Sequence, residues 1–281
     1  MSLKACNQDA AIVLGDGEST LHGVAVADGL GSFTHAGEAA RFAVERAKDF
    51  AQSMEITSAA SLGELFRLIR RDLSAYAQQF AAAQPLGEKS FGTTLLIAVE
   101  TPTHLIAAYV GNGAIWHLRG NFDGSASEGK NPWSAVNYLS PHSESAEGRE
   151  QLYNIIELSD PAESFPPTMI TINKDPHFGD ILLLCTDGIY SADQILHGVG
   201  VKDDLWIRVE DSMTLFYEAL RTHFSQPVER PESPALEDCM RKYLASLKSL
   251  LLIEDDATVG LIVTGQALTY LHEHKPSARN R

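Results

Sequence analysis

Four short acidic motifs are the residues of this chain best equipped to do chemistry: Asn7-Gln8-Asp9, Ala27-Asp28-Gly29, Thr186-Asp187-Gly188 and Asp255-Asp256-Ala257-Thr258. Three of them adjoin apolar runs. Gly23-Val24-Ala25-Val26-Ala27 precedes Asp28, Ile181-Leu182-Leu183-Leu184-Cys185 leads to Asp187, and Val259-Gly260-Leu261-Ile262-Val263 follows the Asp255 pair. A carboxylate at the end of a buried strand is costly unless it is paired, hydrogen-bonded or bound to a metal. No Lys or Arg stands within three residues of any of these aspartates, so a cation is the expected partner. Oxygen-only ligand sets suit Mg²⁺ or Mn²⁺, and those ions support hydrolysis by making a nucleophilic hydroxide available at neutral pH. Any one motif alone reads equally well as a turn, since Asp-Gly bends are routine. The set does not, because a turn needs no matched apolar run beside it.

The elements that must position these motifs come in blocks. Residues 10–15 and 22–27 read as a hairpin across Asp16-Gly17-Glu18-Ser19, the second strand delivering Asp28. From Thr34 to Ser53 the apolar residues Ala36, Ala39, Ala40, Ala43, Val44, Ala47 and Phe50 fall at helical spacing. Residues 61–83 repeat that pattern with Leu62, Leu65, Phe66, Ile69, Leu73, Tyr76 and Phe80. Strands are predicted at 93–99, 104–110 and 114–119, with Gly111-Asn112-Gly113 read as a hairpin turn between the last two. The stretch 120–150, rich in Gly, Ser, Asn and Glu, reads as a surface loop or flap. Further strands are predicted at 168–172, 181–185 and 257–264, and helices at about 203–224 and 235–251. The polar tail 272–281 is expected to fray, leaving 1–271 as a single domain, because motifs from both ends and the middle must share one site. Strands, helical pair, strands, helical pair and a last strand make an α+β chain with antiparallel sheets covered by helices.

Composition narrows the function classes. With 44% hydrophobic and 21% charged residues the chain reads as an ordinary globular protein. A formal net charge of −15 argues against a nucleic-acid partner, whose backbone would be repelled. It does not exclude an anionic, phosphorylated substrate, because bound divalent ions reverse the sign of a site locally. Cys6, Cys185 and Cys239 are widely spaced without metal-ligand spacing and read as buried or idle thiols in a reducing compartment. No apolar run approaches the roughly 18 residues of a membrane span, and the start lacks a signal-peptide pattern. A cytoplasmic location without a membrane partner is the expectation.

Read together, the motifs resemble the protein phosphatase 2C family of metal-dependent Ser/Thr phosphatases, and look most like its compact bacterial members. The resemblance is carried in order by Asn7-Gln8-Asp9-Ala10, Val26-Ala27-Asp28-Gly29-Leu30-Gly31 with Gly37-Glu38-Ala39-Ala40, Phe91-Gly92-Thr93-Thr94, Val110-Gly111-Asn112, Gly179-Asp180 before Leu182-Leu183-Leu184-Cys185-Thr186-Asp187-Gly188, and Asp255-Asp256-Ala257-Thr258. It implies an α-β-β-α sandwich of two antiparallel sheets flanked by helical pairs, with a binuclear Mg²⁺ or Mn²⁺ centre at one edge. Asp28 is then expected to bridge both ions and the Gly29 carbonyl to ligate one of them. Asp187 and Asp255 complete the set, with Asp9 nearby and Asp256 behind Asp255, since neighbours on an extended chain face opposite ways. In this chemistry a hydroxide shared by the ions attacks phosphorus in line, with no covalent enzyme intermediate. The resemblance also implies a phosphorylated protein as substrate and a Ser/Thr kinase as the opposing activity.

The chain departs from the family pattern at several places. Lys4 stands where an Arg usually holds the substrate phosphate, and it offers charge without the planar fork. Asn112 and Ser191 are neutral where many members have the carboxylates of a third ion, so that site is expected to be absent or weak. Leu30 replaces a His that some members use as general acid; His22 and His35 flank the motif and read as structural. Cys185 reads as strand packing. These departures admit an alternative, a metal-binding pseudophosphatase that docks a phosphoprotein or kinase without turning it over.

Overall fold

The structure, a computed structural model, describes residues 7–15, 21–80, 86–87, 89–120, 133–146, 149–158, 165–190, 195–199, 205–209, 212–225, 233–253 and 255–273. In chain order the first elements are β1 (Asp9–Val13), β2 (His22–Asp28), α1 (Ala36–Ser53), α2 (Ala59–Ala77), β3 (Gly92–Thr93), β4 (Leu95–Glu100), β5 (His104–Val110) and β6 (Ala114–Gly120). Next come β7 (Trp133–Asn137), β8 (Ser143–Ala146), β9 (Arg149–Leu152), β10 (Ile156–Glu157), β11 (Thr168–Asn173), β12 (Asp180–Cys185) and α3 (Asp187–Tyr190). The last are β13 (Ile195–Val199), β14 (Leu205–Val209), α4 (Ser212–Ser225), α5 (Ser233–Ser249), β15 (Val259–Val263) and α6 (Gly265–Glu273).

Two antiparallel sheets form the centre, one ordered β1-β2-β4-β5-β11 and the other β15-β12-β6-β7. Their facing sides interdigitate: Val24, Val26, Leu96, Ala98 and Tyr109 of the first meet Ile115, Leu182, Leu184 and Ile262 of the second. The alternate residues point outward. Ala25, Ile97, Val99 and Ile106 pack under Ala39, Ala43 and Ala47 of α1 and Leu62, Phe66, Ile69 and Leu73 of α2. On the other side Trp116, Leu118, Ile181, Leu183 and Cys185 pack with Phe216 and Leu220 of α4 and Met240, Tyr243 and Leu247 of α5. A strand covered on both faces carries a continuous apolar run, which is why β2 and β12 read that way. The α-β-β-α sandwich expected from the motif order is present.

The structure corrects several local expectations. Gly111-Asn112-Gly113 does not close a hairpin: β5 lies in the first sheet and β6 in the second. Both edges of β5 are taken by β4 and β11, and both edges of β6 by β12 and β7, so neither strand has an edge for the other. The glycines still earn their place, with φ of 94° at Gly111 and 116° at Gly113 turning the chain between layers. Within the expected loop 120–150, β7 pairs with β6 and β8 with β9; residues 121–132 lie outside the described residues. The helix expected from 203 starts at Ser212, because Leu205–Val209 pairs as a strand with Ile195–Val199. Helix α2 ends at Ala77 rather than 83, and α6 carries helix through His272 to Glu273, beyond which residues 274–281 are not described.

A buried guanidinium links α2 to the chain around β10. Arg70 is 6% exposed and donates to the Phe165 carbonyl at 2.5 Å, to Asn154 Oδ1 at 2.7 Å and to the Ile155 carbonyl at 3.2 Å. Arg70→Met keeps the apolar stem but strands these acceptors, which should cost about 1–3 kcal/mol. Scanning calorimetry should then record a melting temperature lower by roughly 5 °C. An unchanged melting temperature would show that water replaces the guanidinium without loss.

Candidate metal centre

Pairing in the first sheet sets Asp9, at the start of β1, directly opposite Asp28, at the end of β2. Their side chains therefore share a face at one end of the sandwich. Like charges directly opposed across a strand pair are destabilising, so the register itself calls for a cation. The Asp28 backbone is clamped: its N–H donates to Thr94 Oγ1 at 3.0 Å, and its carbonyl accepts from Thr93 Oγ1 and Thr94 N, both at 2.8 Å. Gly29 N–H donates to the Gln8 carbonyl at 3.0 Å and Leu30 N–H to the Gly92 carbonyl at 3.1 Å.

The second sheet brings the other two motifs to the same end. Cys185 pairs with Val259, so Asp187 and the Asp255 pair emerge from neighbouring strands. Thr186 joins three motifs, with its hydroxyl accepting from Thr258 N–H at 2.9 Å and donating to Asp9 Oδ2 at 2.8 Å. Gln8 N–H donates to Asp256 Oδ2 at 3.1 Å. Gly188 is required by close approach, since a Cβ there would lie 2.0 Å from the Asp256 carbonyl oxygen. The Asp187-Gly188 pair thus reflects packing against the fourth motif as much as a bend in the chain.

The electrostatics report a cluster short of positive charge. Burial, and then the charges of Asp9 and Asp187, push the Asp28 carboxyl up to about 10, and it lies within hydrogen-bond reach of both. Burial also raises Asp9, against the opposing effect of hydrogen bonds to Asp28, Thr186 and Thr258, and Asp256 adds repulsion. Asp9 Oδ1 is buried with no hydrogen-bond partner. Asn112 Nδ2 donates to Asp187 Oδ2 at 3.0 Å. Among the described residues no three acidic, imidazole or thiol groups are already spaced to enclose an ion. The fit to a divalent cation rests instead on the donor chemistry: oxygen-only, anionic, mutually repelling, with one oxygen left bare.

A cavity of about 610 Å³ opens over the cluster, lined by Asp28, Gly29, Leu30, Asn112, Asp187 and Asp255 and also by Lys89, Gln151, Tyr153 and Glu157. Asp9 lies below it, 8% exposed, and Asp256 behind it, 3% exposed, with its N–H donating to Asp255 Oδ1 at 2.6 Å. Lys4 and Ser191 lie outside the described residues. The His35 ring stacks on Phe91 at 4.9 Å in an aromatic cluster with Phe80, and Cys185 is buried in the outer core. His22 stands at the far end of β2, six residues from Asp28. A smaller cavity of about 400 Å³ lies between α4 and α5, where Asp238 is already paired with Lys242 at 2.7 Å.

Sequence reasoning missed His142 and Lys89. His142 N–H donates to the Gly111 carbonyl at 2.9 Å while Gly111 N–H donates to His142 Nδ1 at 3.3 Å, bracing the turn that carries Asn112. The ring stacks on Tyr109 at 4.9 Å, and burial lowers its pKa, so it serves as a neutral acceptor. Neither residue belongs to a periodic pattern or a spaced set, so no signal of that kind marked them.

The protein phosphatase 2C family model matches residues 2–245, and the chain belongs to that family. It is a protein serine/threonine phosphatase by that membership. Solved structures with the same fold include a bacterial serine phosphatase, 17% identical over 92% of each chain with a TM-score of 0.60. Serine/threonine phosphatase Stp1 from Staphylococcus aureus is 16% identical over 93% of this chain and 90% of that one, with a TM-score of 0.58. The catalytic domain of the serine/threonine protein phosphatase PstP, in complex with two manganese ions, is 18% identical over 93% of this chain and 94% of that one, with a TM-score of 0.55. Among curated proteins none matches.

An acid whose folded pKa lies above its unfolded value of about 4 holds an extra proton in the folded state, so stability falls as pH rises between the two. In EDTA the melting temperature should therefore decline from about pH 5 to about pH 9, and saturating Mn²⁺ should oppose that decline by binding the deprotonated cluster. Asp28→Asn should flatten the decline and abolish the rise in melting temperature on adding Mn²⁺. A variant that melts like the wild type under both conditions would show that the cluster is not a cation site.

Proposed function

We propose that this chain hydrolyses phosphoserine and phosphothreonine in proteins at a binuclear Mg²⁺ or Mn²⁺ centre. Asp28, the Gly29 carbonyl, Asp187 and Asp255 would hold the ions, with Asp9 and Asp256 behind them. The observation that carries this reading is the gathering of Asp9, Asp28 and Asp187 at the cavity, with burial pushing Asp9 and Asp28 toward protonation and one Asp9 oxygen left without a partner. When bound, the two ions supply a hydroxide at neutral pH and positive charge for the phosphoryl oxygens.

The chain's own groups prepare the site. Thr186 fixes Asp9 through its hydroxyl, Asn112 orients Asp187 through its amide, and Thr93 and Thr94 hold the Asp28 backbone against displacement. Neutral Asn112 and Ser191 leave a third ion without its carboxylates, so two ions suffice for the proposed reaction. Lys4 would add a cation near the first motif. No histidine is among the described residues lining the cavity, so protonation of the leaving group would come from water or from another residue. A Ser/Thr kinase that phosphorylates the same proteins is the natural counterpart.

The deciding experiment is p-nitrophenyl phosphate hydrolysis with Mn²⁺, beside EDTA and an Asp28→Ala control. Activity should require the metal and fall by at least about a hundredfold in the variant. No hydrolysis, with Mn²⁺ still bound by calorimetry, would overturn the enzyme reading in favour of a metal-binding docking module.

A further inference from the structure

Among the described residues, the cavity over the acidic cluster is lined by four carboxylates, those of Asp28, Glu157, Asp187 and Asp255, and by one basic side chain, Lys89. A phosphate monoester entering such a cavity meets like charge on every side unless cations outweigh it. Ions held at the floor would face only the inner phosphoryl oxygens. The outer ones still need donors.

Lys89 is built to supply them. Its backbone is fixed in a tight turn, with Ser90 N–H donating to the Gly87 carbonyl at 3.1 Å and Gly87 N–H to Ser90 Oγ at 2.8 Å. The turn is strapped to the start of α1 by Thr34 N–H on the Lys89 carbonyl at 3.1 Å and His35 N–H on the Ser90 carbonyl at 2.8 Å. The chain then runs straight into Gly92, whose carbonyl accepts from Leu30 N–H, so the base of Lys89 is rigidly related to the Asp28-Gly29-Leu30 segment. Its side chain is exposed. Elsewhere Lys174 and Lys242 are engaged by Glu100 and Asp238, each at 2.5–2.7 Å, whereas Lys89 makes no ion pair with a described carboxylate. An exposed ammonium with three donors on a fixed base, at the wall of an anionic cavity, suits a visiting anion.

We infer that Lys89 binds the outer oxygens of the substrate phosphate and holds it over the aspartate cluster, an inference that rests on the phosphatase reading above. The shared chemistry is a phosphate dianion, whether on a protein side chain or free as product. Lys89 is distinct from Lys4, which precedes the first motif in the chain.

The test uses the full chain loaded with Mn²⁺ and reads inorganic phosphate binding by calorimetry beside steady-state hydrolysis of p-nitrophenyl phosphate. Lys89→Ala should weaken inorganic phosphate about fivefold to tenfold and raise KM by a similar factor, with a smaller change in kcat. Lys89→Arg should restore most of the phosphate affinity, and Lys89→Gln should resemble the alanine variant. Mn²⁺ affinity and melting temperature should stay as in the wild type, which a merely structural role would not allow. Unchanged phosphate affinity in Lys89→Ala overturns the inference. So does a defect seen only with phosphopeptides carrying an acidic neighbour, because Lys89 would then read the flanking residue and not the phosphate. A wild type that binds phosphate through Lys89 without hydrolysing its ester would overturn the phosphatase reading while supporting this one. Hydrolysis with phosphate affinity indifferent to Lys89 would do the reverse.

Discussion

The mutual repulsion of Asp9, Asp28 and Asp187 is the interaction around which the rest of this structure is arranged. Three carboxylates that share one corner would move apart if the chain allowed it. It does not, because each sits at the end of a strand or the start of a helix whose backbone is already committed. Asp28 is held by two threonines, Asp9 by the register of β1 on β2, and Asp187 by the pairing of β12 with β15. The burial of three apolar layers fixes those backbones, so hydrophobic packing far from the corner keeps the charges together. A ligand that bound the deprotonated cluster would recover that repulsion as binding energy, coupling occupancy to stability.

The location of the corner follows from the layering. β2 and β12 are covered on both faces, by the facing sheet on one side and by helices on the other. Charged side chains have no place along such strands. They can stand only where the strands run out, at the end of the sandwich. Both sheets present a strand end there, and the crossing at Gly111-Asn112-Gly113 passes between the layers at the same place, which puts the Asn112 amide on Asp187. His142 grips the turn from the flank through both of its hydrogen bonds to Gly111.

The legibility of the sequence tracked the physics of each feature. The acidic motifs stood out because a carboxylate beside a continuous apolar run is a local contradiction, visible without any knowledge of the fold. Helix α1 was legible from its alanine periodicity and the α+β class from the order of its blocks, while the sandwich itself came only through the family resemblance that the motifs carry. The turn at Gly111-Asn112-Gly113 was misread because turn residues report backbone angles and not whether the flanking strands have an edge to share. Leu205-Trp206-Ile207-Arg208-Val209 fits a period of two as well as part of a helical turn, and tertiary pairing decided it. Strands β8 and β9 are short and polar and carry no pattern to read. Arg70 and Lys89 were beyond reach for a different reason. Arg70 meets partners 84 to 95 residues away and Lys89 lines a cavity assembled from several segments, and no spacing rule records that.

The acidity of the whole chain and the chemistry of its cavity have to be reconciled. At −15 the protein repels anions at long range, yet that field is screened within about 8 Å at physiological ionic strength. A phosphorylated side chain therefore senses chiefly the groups it meets inside the cavity. There the aspartates are the least favourable neighbours for phosphate in the absence of divalent ions and the most useful ones in their presence, since the same carboxylates that repel the substrate are those that would concentrate positive charge beneath it. One set of side chains can thus act as a gate on metal occupancy. With divalent ions in the corner, the floor of the cavity would be cationic and Lys89, on the proposed reading, would complete its wall; with the corner bare, the same carboxylates would repel a phosphate.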